Sequence, residues 1–159
     1  MVMNIYTVAF FGHRKIYNSH QIEKRLENAI KKLITENEYV EFLVGRNGDF
    51  DQMVSSAVLR TKKECFEHNS SLVLVLPYMT AEYKNNKKSF EEYYDEIEIS
   101  QKASKAYYKS AIRIRNEEMI NRAGLIICFV EEDHGGAYKA LCYAKKKNKT
   151  IINLCDFFE

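Results

Sequence analysis

Phe42-Leu43-Val44-Gly45-Arg46-Asn47-Gly48-Asp49-Phe50-Asp51-Gln52 changes character twice. Apolar residues fit for a buried strand run into Gly45, and two glycines bracket a polar pair. Met53, Val54, Ala57 and Val58 then recur at helical spacing. Asp49 stands three residues before Gln52, the spacing of a capping box, so Asp49 is the expected cap of this helix. Such a strand, turn and helix start leave free backbone N–H groups at the carboxyl end of a strand, where open α/β sheets hold ligands. Any tight strand-to-helix turn needs a glycine, so the stretch by itself suits a plain connection equally well.

The flanking sequence has the same rhythm. Ile5 to Phe11 is β-branched and aromatic on both pleat faces, as a strand buried on both sides requires, and it stops at Gly12-His13-Arg14. A helix follows from about Ser19, its expected cap, with Ile22, Leu26, Ala29, Ile30, Leu33 and Ile34 on one stripe. Val40 to Val44 is the second strand, and the second helix runs from Asp49 to about His68. The third strand, Leu72 to Leu76, ends at Pro77, which cannot continue a central ladder. Residues 79–110 form an irregular, charged, Tyr-rich excursion, with a short alternation at Ile97 and Ile99 to suggest a strand. This excursion reads either as a lid over the sheet's carboxyl edge or as a plain solvated connection with an edge strand. The plain reading is preferred, because charged, Tyr-bearing surface segments are common. Then come a helix over Ile112 to Arg122, a strand over Leu125 to Val130, the loop Glu131 to Gly136, a helix to about Lys147 and a last strand over Thr150 to Leu154. Short strand–helix–strand connections impose right-handed crossovers and parallel pairing. The expected fold is α/β: a single Rossmann-like, doubly wound domain over 1–159, with a mostly parallel sheet and helices on both faces.

The chain has 159 residues, with 24 Lys+Arg against 22 Asp+Glu and a formal charge of +2. That length suits one domain with a real core. So balanced a charge gives no general reason to expect nucleic acid or an anionic membrane, so no extended nucleic-acid surface is expected and any anion site must be local. Cys65, Cys128, Cys142 and Cys155 form no CxxC pair and read as reduced core thiols. The start of the chain passes straight into a strand pattern, and no apolar run approaches a membrane span, so a soluble cytoplasmic protein is expected. No GxGxxG follows the first strand, and GxxxxGK[ST], HExxH and GxSxG do not occur. No cofactor and no metal are therefore expected.

Three loops fall at carboxyl ends of the expected strands: Gly12-His13-Arg14, Gly45 to Asp51, and His134-Gly135-Gly136. In a doubly wound sheet the connections reverse beside the first strand, so the first loop and one from the second half flank one crevice. Arg14 suits a bidentate phosphate contact. His13 suits either acid–base chemistry or a plain hydrogen-bonding role at the strand end, the latter being commoner for a lone histidine near a turn. Carboxylates at a helix start satisfy its N–H groups and repel an anion. In the second loop, therefore, Asp49 reads as the cap and Asp51 as a contact to a ribose hydroxyl or base amine.

In this order the pieces resemble the SLOG superfamily, the Rossmann-like group that includes Smf/DprA and the LOG-type nucleotide phosphoribohydrolases, and most closely its YspA/YpsA-like branch. The matching pieces are Gly12-His13-Arg14, Gly45 through Gly48-Asp49-Phe50-Asp51, Leu76-Pro77-Tyr78, Arg115-Asn116 with Met119, and Gly135-Gly136 with Ala144. The resemblance implies a crevice for a nucleotide or nucleotide-derived small molecule, in a homo-oligomer such as a dimer or tetramer. LOG-type enzymes cleave the N-glycosidic bond of nucleoside monophosphates with an arginine and the glutamate of a PGGxGTxxE loop. Arg115 matches the arginine, but His134 replaces the proline, Tyr138 and Lys139 replace the second glycine and the threonine, and Cys142 stands where the glutamate would be. Losing that carboxylate removes the group expected to support a cationic transition state or activate water.

The expected function is thus a nucleotide-binding sensor or regulatory domain. Gly135, Gly136 and Arg115 would take the phosphate, and Gly12, His13, Arg14, Gly45, Asn47, Gly48, Asp49, Asp51 and Asn116 complete the ligand wall. The alternative is a LOG-like N-glycosidase with an altered loop. There Arg115 binds the phosphate while Asp51 or Glu118 replaces the missing glutamate.

Overall fold

The computed structural model describes residues 3–65 and 68–157, the last of them in its backbone only. Six strands pair in the order β4-β3-β2-β1-β5-β6: β1 Ile5–Gly12, β2 Tyr39–Val44, β3 Ser70–Leu76, β4 Glu96–Ile99, β5 Leu125–Phe129 and β6 Thr150–Asn153. Every pairing is parallel. The principal crossover helices are α1 Ser19–Glu36, α2 Asp49–Glu64, α6 Ala111–Arg122 and α7 Gly136–Lys146.

Successive strand residues feed two cores. In β1, Val8 and Phe10 enter the first core, and Ala9 and Phe11 the second. With helices on both faces a strand must be apolar at consecutive positions, and β3 and β5 are buried along their whole length. The first core takes Ile22, Leu26, Ile30 and Ile34 from α1 and Phe50, Val54, Ala57 and Val58 from α2. Each of those fully buried α1 side chains contributes about 1.5–3 kcal/mol through area removed from water. Ala29 and Leu33 are only partly buried, so the stripe is narrower than its sequence pattern. The second core takes Met119 and Ile120 from α6 and Ala140, Leu141 and Ala144 from α7.

Two helix starts differ from expectation. The residue capping α1 is Asn18, in the left-handed conformation at φ 58°, and Ser19 is already helical. The cap of α2 is Gly48, and the Asp49–Gln52 capping box does not form. A tertiary contact outcompetes it: Asp49 Oδ2 accepts the Ile16 N–H at 3.1 Å, across to the first loop.

The 79–110 segment carries the short edge strand expected at Ile97 and Ile99, but the rest of it is built of short helices and is not irregular. It contains α3 Ala81–Asn85, α4 Lys87–Tyr93, β4, α5 Gln101–Ser104 and a 3₁₀ turn over Tyr108–Ser110. Ile97 and Ile99 lie on the edge strand β4, beside Leu74 and Leu76 of β3. Tyr94 is buried and Tyr83 packs on the first core, whereas Tyr107 and Tyr108 are exposed. Arg46, from the loop after β2, pins this segment. Its guanidinium lies 4.6 Å over the Phe90 ring, donates to Tyr94 Oη at 2.9 Å and pairs with Glu82.

The four cysteines are free, but they are not all core thiols. Cys128 is buried, Cys65 and Cys155 are half-buried, and Cys142 is exposed on α7. Burial pushes the Cys128 thiol up to about 12. Iodoacetamide at pH 8 is therefore expected to alkylate Cys142 and spare Cys128 in the native protein, because the thiolate is the nucleophile. Peptide mass spectrometry reads this out, and equal labelling of the two would contradict the placement. Among the described residues no helix is long and apolar enough to cross a membrane.

Candidate functional site

Strand order reverses between β1 and β5, so the loops leaving these two strands part and open a crevice at the carboxyl edge. The crevice is a cavity of about 500 Å³. Small-molecule sites typically span roughly 300–1,000 Å³. Gly12, His13 and Arg14 line it from the first loop, Gly45, Asn47 and Asp51 from the second, Arg115 and Asn116 from α6, and Gly135 and Gly136 from the start of α7.

Gly48 and Asp49, expected in the ligand wall, do not line the cavity; they lock the first two loops together. A Cβ on Gly48 would sit 2.5 Å from Arg14 Cα. The Asp49 amide donates to the Arg14 carbonyl at 2.8 Å, and its carboxylate takes the Ile16 N–H. Lys15, Tyr17, Ile112 and Glu132 also line the crevice and were not anticipated as ligand residues. Lys15 and Tyr17 simply continue the first loop. Ile112 lies one turn before Arg115-Asn116, a helical spacing that could have flagged it.

His13 spans the reversal point. Its Nε2 accepts N–H bonds from Glu131 at 3.0 Å and Glu132 at 3.3 Å, and its ring packs edge-on against Phe129 at 6.0 Å. With Nε2 an acceptor the ring proton sits on Nδ1, and the histidine acts as a tie between the β1 and β5 loops.

Arg115 is the hub beneath the crevice, 2% exposed. Nη1 donates to the Val75 carbonyl at 2.8 Å, and Nε to Asn116 Oδ1 at 3.0 Å. With the Asn47 amide turned so that its oxygen faces the guanidinium, Nη2 donates to Asn47 at 2.7 Å. One side chain thus joins the loop after β2, the end of β3 and α6. Burial lowers its pKa, and the Asp51 charge partly opposes that. Asp51 Oδ2 accepts the Asn47 N–H at 2.8 Å, closing the second loop. Burial raises the Asp51 pKa; the Asn47 N–H and the charges of Arg115 and Arg14 pull it back. Asp51 therefore braces the loop as well as lining the cavity, so its substitution disturbs the loop along with any ligand contact.

Glu118, offered as a replacement catalytic carboxylate, does not line the crevice. It accepts a hydrogen bond from Ser100, just past β4. Cys142, at the position of the family glutamate, lies outside it too.

The two helix starts at this edge differ in sign. That of α2 carries Asp49 and Asp51 in its first turn, whereas that of α7 carries no acidic residue. Gly135 caps α7 at φ 92°, a left-handed conformation that favours glycine, and a Cβ on Gly135 or Gly136 would meet nothing within 4 Å. The start of α7 is therefore an open set of amides suited to an anion.

A model of the YspA SLOG family matches residues 6–157. The chain belongs to this family. No curated protein matches the SLOG chain. Among solved structures it is similar to DNA processing protein A (DprA) from Streptococcus pneumoniae and from Helicobacter pylori, each with a TM-score of 0.65 at 15% identity. The alignments cover 92% of this SLOG chain but 49% and 63% of those proteins, and at such identity the likeness is one of fold. The H. pylori protein has a single-stranded DNA binding mode. That neighbour overturns the expectation of no extended nucleic-acid surface, because the same fold serves a nucleic-acid binder. Net charge was the wrong quantity to argue from, since such binding follows the local arrangement of cations.

Proposed function

We propose that the crevice binds a nucleotide or nucleotide derivative in a sensing or regulatory role. The observation that carries this reading is the start of α7: open Gly135–Gly136 backbone, no carboxylate in the first turn, and Arg14 in the same cavity. A phosphate seated there gains the helix-start amides and an exposed guanidinium. Arg115 supplies charge from below while its N–H groups hold Val75, Asn116 and Asn47. Asn47 and Asp51 then border the ribose or base. Of the acid–base candidates offered by the sequence, Asp51 is engaged with the Asn47 N–H, His13 Nε2 is occupied and Glu118 lies elsewhere, while Glu132 in the wall stands 3.4 Å from His134; this weighs against hydrolysis. The single-stranded DNA binding mode of a protein with this fold supports a second reading, in which phosphate and base belong to a strand.

The test is thermal stabilisation by the four nucleoside 5′-monophosphates and by a single-stranded oligonucleotide, in the natural chain and in Gly136→Asp. A ligand at about a hundred times its Kd stabilises by about 2.7 kcal/mol, which for a chain of this length raises Tm by roughly 5–10 °C. Gly136→Asp meets no steric obstacle. An acid at a helix start adds about 0.3–1 kcal/mol of stability. The variant should therefore melt at the same or a higher temperature without ligand and lose the ligand-induced shift. A shift retained in full removes the phosphate from α7; a shift with the oligonucleotide alone selects the strand reading.

A further inference from the structure

We propose that the crevice continues into a second anion-binding compartment that takes a further phosphoryl group of the same ligand. The ligand class is then a nucleotide with two separated phosphates. This inference rests on the nucleotide reading above. A second cavity of about 440 Å³ lies between α6 and α7, and Arg14, Ile112, Asn116 and Gly136 line both cavities. Its other walls bring Lys109 from the 3₁₀ turn before α6, Arg113 and Glu117 from α6, and Lys139 from the first turn of α7. Cations from four separate elements thus face one hollow. Its single carboxylate, Glu117, is already paired with Arg113 at 2.8 Å.

The arrangement is poorly balanced without an anion. A cleft in which cations outnumber carboxylates concentrates positive potential, and Lys139 places a cation at the positive end of the α7 dipole, the unfavourable end for it. An anion in the hollow reverses both terms. At the junction Asn116 has its oxygen held by Arg115 Nε, which leaves its amide N–H groups as the donors. Ile112 offers an apolar wall beside them. Two bounded compartments with a common wall of one donor, one apolar side chain and Arg14 suit a nucleoside flanked by two phosphates. A small dinucleotide and the end of a strand share that chemistry.

The experiment is calorimetric titration of the full chain and of the Lys109→Ala/Lys139→Ala variant. The probes are nucleoside 5′-monophosphates, 5′-phosphorylated dinucleotides of the same bases, and a 5′-phosphorylated decanucleotide. Both lysines are exposed, so the variant keeps the fold, and an unchanged Tm verifies it. The expected result is that a dinucleotide binds the natural chain about tenfold more tightly than the best mononucleotide. The variant should lose that gain while its mononucleotide affinity stays within about twofold. Equal mono- and dinucleotide affinity in the natural chain, or an equal loss for both in the variant, overturns the second compartment and leaves the nucleotide reading standing. Failure of every probe to bind overturns that reading and this inference together. A decanucleotide no tighter than the dinucleotide assigns the two phosphates to a small ligand; a further gain assigns them to a strand.

Discussion

Arg115→Ala is expected to destabilise the protein by about 3 kcal/mol, the scale of leaving buried acceptors and a buried counter-charge without their partner. In a chain of this length that lowers Tm by roughly 10 °C. The cost follows from where the guanidinium goes. Removing it orphans the Val75 carbonyl at the end of β3, frees the Asn47 and Asn116 amides, and leaves Asp51 without the larger of its two cationic neighbours. Asp51 then keeps its proton more readily, and the loop it closes through the Asn47 N–H loosens. Thermal denaturation of the ligand-free chain is the decisive measurement. An arginine whose role is confined to a bound phosphate would leave the ligand-free Tm unchanged, and that outcome would exclude the hub. Arg113→Ala is the control: its pair with Glu117 is an exposed i,i+4 contact, for which at most about 0.5 kcal/mol is expected.

Gly12→Ala is expected to cost about 2–3 kcal/mol by overpacking. The new methyl would fall 2.2 Å from Phe50 Cγ and 2.5 Å from Phe50 Cβ. Phe50 cannot yield cheaply, because it is fully buried and sits in the first turn of α2, two residues after the glycine cap. Relief must come from moving the start of α2 away from β1, which parts the first two loops of the crevice. Chemical denaturation of Gly12→Ala, Phe50→Leu and the double variant measures this. The double variant should be more stable than the sum of the single losses by about 1 kcal/mol, the coupling of two groups in contact. Strict additivity would show that the two sites do not touch.

The frame of this molecule is legible in its sequence because a parallel sheet covered on both faces leaves a direct trace. Leu72 to Leu76 and Leu125 to Phe129 are unbroken apolar runs, and the second is followed, as Val40 to Val44 is, by a loop and a helix. The family follows from glycines and polar residues at strand ends, such as Gly12-His13-Arg14 and Gly135-Gly136. Less legible are roles fixed by a distant partner. Asp49 has the spacing of a cap, yet it serves an amide in another loop; Glu118 looks available on α6, yet Ser100 holds it. The sequence reads Arg115 only as a phosphate ligand; its bond to Val75, which adds a structural role, is fixed by packing alone. Lys109 belongs to a segment that resembles ordinary solvated surface, and only the packing of α6 against α7 gives its charge a hollow to face.

The seam that His13 spans has a topological consequence. Val8 pairs with Phe42 across β1–β2 and with Leu125 across β1–β5. The second partner lies roughly three times as far along the chain, so closing that loop costs about 1 kcal/mol more in chain entropy. The β5–β6 pair thus joins the other four strands through the least local contact in the sheet, the kind that slows folding most. A ligand held by both the first loop and the start of α7 bridges this long-range closure. Under the proposed function, its binding free energy would add to the stability of the joined sheet, so occupancy would raise the cost of parting β5–β6 from the other strands.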